Sequence, residues 1–194
     1  MSQSRISVGC VVMAAGAAER FGENKLAAVV RGKTLLEHAL EAVPTDRLDH
    51  VCVVTRFDEA EALAARFGFR CVRNDRPELG LSRTVRLGTE ALRQDCDAIV
   101  YLVADQPLLR RESVAALVDC YRAHPEKIVS AAHGGKRGNP CIFPAAFFPE
   151  LCALTGDTGG SAVIRNHKDQ LLLFEVGEEE LADVDTRRAL AELS

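Results

Sequence analysis

Tryptophan is absent, and aromatic residues make up only 5% of the 194-residue chain. Its core must therefore be aliphatic, and Ala, Val, Leu and Ile are plentiful enough to build one. No long hydrophobic run occurs. The nearly unbroken apolar stretch from Val8 to Ala18 covers 11 residues, about half of the roughly 20 that a membrane-spanning helix needs. No basic region followed by an apolar segment opens the chain, so no secretory signal is expected. Positive charge is not in excess. Lys and Arg number 24 against 28 Asp and Glu, a formal charge of -4, which argues against a nucleic-acid binder. Paired cysteines are missing too. Cys10, Cys52, Cys71, Cys96, Cys120, Cys141 and Cys152 form no C-x-x-C spacing, and most sit in apolar runs. They read as small buried hydrophobes in a reducing compartment, so a cytoplasmic protein without structural zinc or disulfides is expected.

The hydrophobic share, 47%, and the charged share, 27%, are those of an ordinary globular chain, and the length fits one domain. Apolar runs alternate with helical patterns. Strands are predicted at 6–13, 51–55, 69–72, 98–103 and 127–132. Helices are predicted from Thr34 to about 43, and at 58–67, 82–94 and 111–123. Thr34-Leu35-Leu36-Glu37 is a capping-box signature. Strands without polar alternation, separated by helices, predict an α/β fold. The expected architecture is a three-layer α/β/α sandwich with a mainly parallel, Rossmann-like sheet. Pro140, Pro144 and Pro149, beside Gly134, Gly135 and Gly138, predict a loop-and-insert region there.

In such sheets, ligands bind beyond the carboxyl ends of the strands. After the first strand comes Met13-Ala14-Ala15-Gly16-Ala17-Ala18-Glu19-Arg20-Phe21-Gly22-Glu23-Asn24-Lys25. Small residues let the backbone approach an anion closely, and Arg20 and Lys25 add cations, which together suit a polyphosphate. The dinucleotide fingerprint is absent. Gly32-Lys33-Thr34 is not a Walker A loop, because Ala27 stands where that motif requires glycine; Gly32 reads as a turn and Thr34 as a helix cap. After the fourth long strand, Asp105-Gln106-Pro107 places a carboxylate at the sheet edge. A carboxylate beside a polyphosphate calls for a divalent cation between them, so Mg²⁺ is expected. A second acidic tip, Asp183-Val184-Asp185-Thr186, precedes a terminal helix. One of its carboxylates can complete a metal site.

These residues resemble a known family. Ala14-Ala15-Gly16-x-x-x-Arg20-x-Gly22-x-x-Lys25 is similar to the signature loop of nucleotidyltransferases of the A-type glycosyltransferase fold. Asp105-Gln106-Pro107, Gly80-Leu81-Ser82, Gly138-Asn139-Pro140-x-x-Phe143, Gly156-Asp157-x-Gly159 and Asp183-Val184-Asp185-Thr186 occur in the order of the MobA-like NTP transferase family. They most resemble its molybdenum cofactor cytidylyltransferase branch. Ala15-Gly16 stands where guanylyl-transferring relatives carry Gly-Gly, which favours CTP. Arg83, Thr84, Gly160, Ser161 and Asn139 depart from the branch pattern, and these departures touch the second substrate more than the nucleotide.

The resemblance implies one nucleotidyltransferase domain over 1–194, with a nucleotide part at about 1–110 and an acceptor part at about 130–185. It implies transfer of CMP from CTP to the terminal phosphate of a pterin-type acceptor, the molybdenum cofactor, with release of pyrophosphate. Lys25, Arg20 and Asp105 would be catalytic. Ala14, Ala15, Gly16, Ala17, Arg20, Lys25, Gly80, Ser82 and Asp105 would bind nucleotide. Gly138, Asn139, Pro140, Gly156, Asp157 and Gly159 would bind acceptor. Asp105 and Asp185 would hold Mg²⁺. A recipient molybdoenzyme or its chaperone is an implied partner; nucleic acid and membrane are not. Other readings are GTP-dependent transfer, another phosphorylated acceptor (a sugar phosphate, methylerythritol phosphate or phospholactate), and a non-catalytic module that delivers the cofactor.

Overall fold

The computed structural model describes residues 5–16 and 24–193. Strand β1 (Val8–Ala14) is followed by a short hairpin, β2 (Val29–Val30) and β3 (Lys33–Thr34), and helix α1 (Leu35–Glu41). Then come β4 (His50–Thr55), α2 (Asp58–Arg66), β5 (Arg70–Arg73), α3 (Leu81–Leu92), β6 (Ala98–Val103) and α4 (Arg111–Ala123). The last third holds β7 (Ile128–His133), β8 (Lys136–Pro144), α5 (Phe148–Ala153), α6 (Gly160–Asn166), β9 (Leu171–Glu175) and α7 (Arg187–Leu193). Seven strands form one sheet in the order β5-β4-β1-β6-β8-β7-β9. Among the described strands of this sheet, only β8 runs antiparallel to its neighbours.

Alternate strand residues serve opposite faces, and both faces are covered. Cys10, Val12, Val100 and Leu102 pack with Leu40 of α1, Ala64 of α2 and Leu117 of α4. Val11, Ile99 and Tyr101 pack with Val85 of α3, Leu151 of α5 and Val163 of α6. This is the expected three-layer α/β/α sandwich. A close approach makes it possible on the α3 side. A Cβ on Gly88 would lie 2.4 Å from the Val11 side chain, so only glycine lets α3 rest on β1. The expected capping box forms: Thr34 Oγ1 accepts from the Glu37 N–H at 3.1 Å, and the Glu37 carboxylate accepts from the Thr34 N–H at 2.8 Å. The buried cysteines are Cys10, Cys52, Cys96 and Cys141, and all seven are free thiols. Burial pushes the Cys52 thiol up to about 11. No helix among the described residues is long and apolar enough to cross a membrane.

One expectation fails. The proline- and glycine-rich stretch after Gly135 is not a loop: residues 136–144 form β8, wedged between β6 and β7. Cys141-Ile142-Phe143 is buried and pairs with Ile99–Tyr101 of β6. The disruptive residues fall together. Ser130 pairs with Cys141 and Ala132 with Arg137, so Gly138, Asn139 and Pro140 share a single irregularity opposite Ala131. A bulge tolerates the missing N–H of proline. The Asn139–Pro140 peptide there is cis.

Candidate active site

The parallel strands β1, β4 and β6 end on one edge of the sheet, and a cleft of about 830 Å³ opens there. Ala15 and Gly16 leave β1 on its wall, and Asp105 stands just beyond β6. Lys25 opens a short 3₁₀ turn, Lys25–Ala27, whose N-terminal N–H of Leu26 is capped by the Asn24 side chain. That turn aims Lys25 at the tip of β6. Its Nζ lies 2.9 Å from Asp105 Oδ2 and 2.9 Å from Asp185 Oδ1. Residues far apart in sequence thus meet at one ammonium. Burial pulls the Lys25 pKa down, but the charges and hydrogen bonds of Asp105 and Asp185 outweigh it, and the pKa is held above the ordinary lysine value. The group stays cationic at neutral pH.

The two aspartates of the second tip do different things. Asp185 reaches Lys25, while Asp183 Oδ1 accepts a hydrogen bond from Gln106 Nε2 at 2.9 Å. Burial and the neighbouring negative charge of Asp105 push the Asp183 carboxyl above its ordinary value, although Gln106 pulls the other way. Two carboxylates facing one point form a hard-oxygen donor set, which fits a divalent cation such as Mg²⁺. Among the described residues no group of three or more His, Cys, Asp or Glu is suited to hold a metal. Phosphate oxygens and water would therefore have to complete the coordination.

Gly80 lies on the same wall. Its φ is +84°, and a Cβ there would fall 2.5 Å from the Gly156 carbonyl group. The Ser82 N–H donates to the Gly156 oxygen at 3.2 Å. The two sequence motifs are thus one packed unit. Ser82 does not present its hydroxyl to the cleft. The side chain is buried, and Oγ donates to the Leu79 carbonyl at 3.4 Å. Leu81, one residue earlier on α3, and Thr84 face the cleft instead. Ala14, the last residue of β1, is fully buried, with its carbonyl accepting from Thr55 Oγ1. Ala17 and Arg20 lie outside the described residues.

A second cavity of about 410 Å³ adjoins the first and shares Met13, Leu81, Val103 and Asp157 with it. Asn139, Gly159, Ser161, Arg165 and Tyr101 line its far side. Of the expected acceptor residues, Asn139, Asp157 and Gly159 line this cavity. Gly138 packs on Leu181 instead, Pro140 sits in the bulge, and Gly156 backs Gly80. Asp157 belongs to both cavities, and its Oδ1 accepts from the Leu81 N–H at 3.4 Å. His133 is exposed, with Nδ1 on the Val176 carbonyl, away from both cavities.

Two contributors carry no motif. Arg56, just past β4, lines the large cleft, and its Nε is buried without a hydrogen-bond partner. Arg165 of α6 lines the smaller cavity. Arg56 was within reach of the rule that picked out Asp105, since it too follows a parallel strand at its carboxyl end.

The profile of the MobA-like NTP transferase domain matches residues 10–171, most of the chain. The chain belongs to the MobA-like NTP transferase family. It is 30% identical over 190 residues to the purine catabolism protein PucB of Bacillus subtilis (strain 168), across 91% of this chain and 90% of PucB. Among solved structures, the Mycobacterium tuberculosis Rv0371c homolog from Mycobacterium sp. strain JC1 superposes with a TM-score of 0.79. Identity is 26%, with 96% of each chain covered. A nucleotidyl transferase from Methanothermobacter thermautotroptrophicus gives a TM-score of 0.81 at 21% identity, over 96% of this chain and 95% of its own. As a MobA-like family member, the protein is a nucleotidyltransferase, and its mainly parallel sheet is the Rossmann-like sheet of those neighbours.

Proposed function

We propose that the protein transfers CMP from CTP to the terminal phosphate of a pterin-type acceptor of the molybdenum cofactor class, with Mg²⁺ as cofactor. The observation that carries the reading is the junction of Lys25 with Asp105 and Asp185 in the larger of two adjoining cavities. Ala15 and Gly16 bring backbone close to the triphosphate. Lys25 neutralises the charge that grows around the α-phosphate. Asp105 and Asp185 would hold Mg²⁺, which when bound would supply further neutralisation of the phosphate charge. A phosphate oxygen of the acceptor, lying in the smaller cavity, attacks the α-phosphorus in line. That P–O bond forms as the α–β bridging bond breaks, and pyrophosphate carries away the electron pair. A phosphomonoester is already a nucleophile at neutral pH, so no general base is required. The remote position of His133 agrees with this. Catalysis is then positioning and electrostatics.

In this reading residues 1–110 supply most of the nucleotide site and 130–185 most of the acceptor site, within one domain. A cytoplasmic setting and a recipient molybdoenzyme or its chaperone follow from the same proposal. The test is pyrophosphate release with each of the four NTPs against molybdopterin and other phosphorylated acceptors, with and without Mg²⁺. Turnover only with CTP, molybdopterin and Mg²⁺ is expected. Turnover with another acceptor, or with GTP, reassigns the substrate. Binding without turnover makes the protein a delivery module.

A further inference from the structure

The chemistry proposed above requires Asp185 to stand opposite Asp105, although the two arrive on separate segments. Two side chains that touch no substrate cavity set their relation. Gln106 is only 3% exposed. Its Nε2 donates to Asp183 Oδ1 at 2.9 Å and to the Leu181 carbonyl at 3.4 Å. Beside it, the Val184 N–H donates to the Asp105 carbonyl at 2.9 Å. The Val184 side chain is fully buried with Val30 and Leu35.

We propose that Gln106 and Asp183 are positioning residues that lock residues 181–185 onto the tip of β6, in the one register that sets Asp185 opposite Asp105. In an extended segment, successive side chains alternate in direction. A slip of one residue would withdraw Val184 from its pocket and turn Asp185 away from Lys25. Gln106 holds the register because a carboxylate only accepts, so the amide must turn Nε2 towards Asp183. The consequence is visible on the other atom: Gln106 Oε1 is buried without a hydrogen-bond partner. Leaving a buried acceptor unpaired is destabilising. A leucine of similar size would avoid that cost, so the amide is of use for its donor. Groups that orient metal ligands from behind typically change metal affinity about 10–100-fold when removed.

The inference rests on the metal-assisted reading of the site, so its test uses a probe independent of base and acceptor. Mn²⁺ is titrated in the presence of inorganic tripolyphosphate and followed by electron paramagnetic resonance. Exchange of the Val184 amide hydrogen is measured alongside. Gln106→Leu and Asp183→Leu should each weaken Mn²⁺ binding about tenfold and speed exchange at Val184. The double variant should be no worse than either single one, because both remove the same contact. Asp183→Asn keeps the accepting Oδ1 and should retain wild-type affinity. Asp183 retains solvent exposure beside its bond to Gln106, so its variants test the lock even where Gln106→Leu folds poorly. Unchanged Mn²⁺ affinity and unchanged exchange in Asp183→Leu would overturn the proposal. So would an Asp183→Asn variant as weak as Asp183→Leu, which would make Asp183 a ligand. Absence of Mn²⁺ binding by the wild type removes the metal reading alone, and exchange at Val184 then decides the lock.

Discussion

Lys25 balances two carboxylates, 2.9 Å from each, and this sets the consequences of changing any of the three. Asp105→Ala removes one oxygen pair from the proposed cation site and frees Lys25 from the less exposed of its two partners. Asp105 sits at a strand tip, so the fold should persist in circular dichroism. Pyrophosphate release should fall on the order of a thousandfold, about 4 kcal/mol of barrier. Near-normal release would remove the metal assignment. Gly80 makes a different demand. At φ +84° and 2.5 Å from Gly156, an alanine would carry both backbone strain and a clash with main chain. Gly80→Ala should lower stability by about 1–3 kcal/mol. It should also raise KM for the nucleotide, because Gly80 and Leu81 wall the cleft. Thermal unfolding and steady-state kinetics on the same preparation check both halves. The placement of Lys25 and Asp105 at the sheet edge was readable, because it follows from the carboxyl ends of the parallel strands. Ser82 was not, because motif spacing does not give the phase of a helix. At the start of α3 the apolar Leu81 faces the cleft and the polar Ser82 turns inward.

Elements are joined at the back of the site by a single buried carboxylate. Glu180 has no exposed side-chain surface, and it accepts from the Arg110 guanidinium at 2.6 Å, the Arg110 N–H at 3.0 Å and the Gly177 N–H at 3.0 Å. It ties the turn that carries residues 178–181 to the start of α4. Burial raises its pKa, but the Arg110 side chain, Ser113 and the two N–H donors outweigh that and take it from 4.5 to about 2. Because the folded value lies below the unfolded one, the clasp contributes fully above about pH 4.5 and is lost as pH falls towards 2. Glu180→Ala leaves those donors unpaired and should cost about 3 kcal/mol at pH 7. The stability difference between variant and wild type should shrink only as pH falls from about 4.5 towards 2. Urea unfolding at pH 7 and at low pH measures both. Nothing in the sequence announced this clasp, since Glu178-Glu179-Glu180 reads as a solvated acidic run. The helices were easier. Thr34 and Glu37 declared α1 through their own chemistry, and Gly68, at φ +74°, closes the turn after α2. Strand β8 was hidden because Pro140 and Gly138 argue against a strand wherever they occur. Their confinement to one bulge depends on pairing with β7, which is a long-range fact.

Across the whole molecule, the question is whether nucleotide and acceptor are handled separately. Lys25, Asp105 and Asp185 line only the larger cleft, while Asn139, Ser161 and Arg165 line only the smaller cavity. Asp157 stands in the wall between them and holds the Leu81 N–H. Three variants should therefore differ in kind. Lys25→Ala should weaken Mg·CTP binding and slow turnover with every acceptor, because it removes charge beside the α-phosphate. Asn139→Ala should raise KM for the acceptor several-fold and leave the Kd for Mg·CTP unchanged. Asp157→Ala should disturb both, since losing its carboxylate loosens Leu81 on one side and opens the smaller cavity on the other. Calorimetric titration with Mg·CTP and kinetics at varied acceptor separate these outcomes. Loss of nucleotide affinity in Asn139→Ala as severe as in Lys25→Ala would mean that the cavities act as one site. The smaller cavity would then have to be reassigned to part of the nucleotide. An unchanged nucleotide Kd in Asp157→Ala would instead move that residue wholly to the acceptor, leaving the N–H of Leu81 to find water at no cost to the cleft.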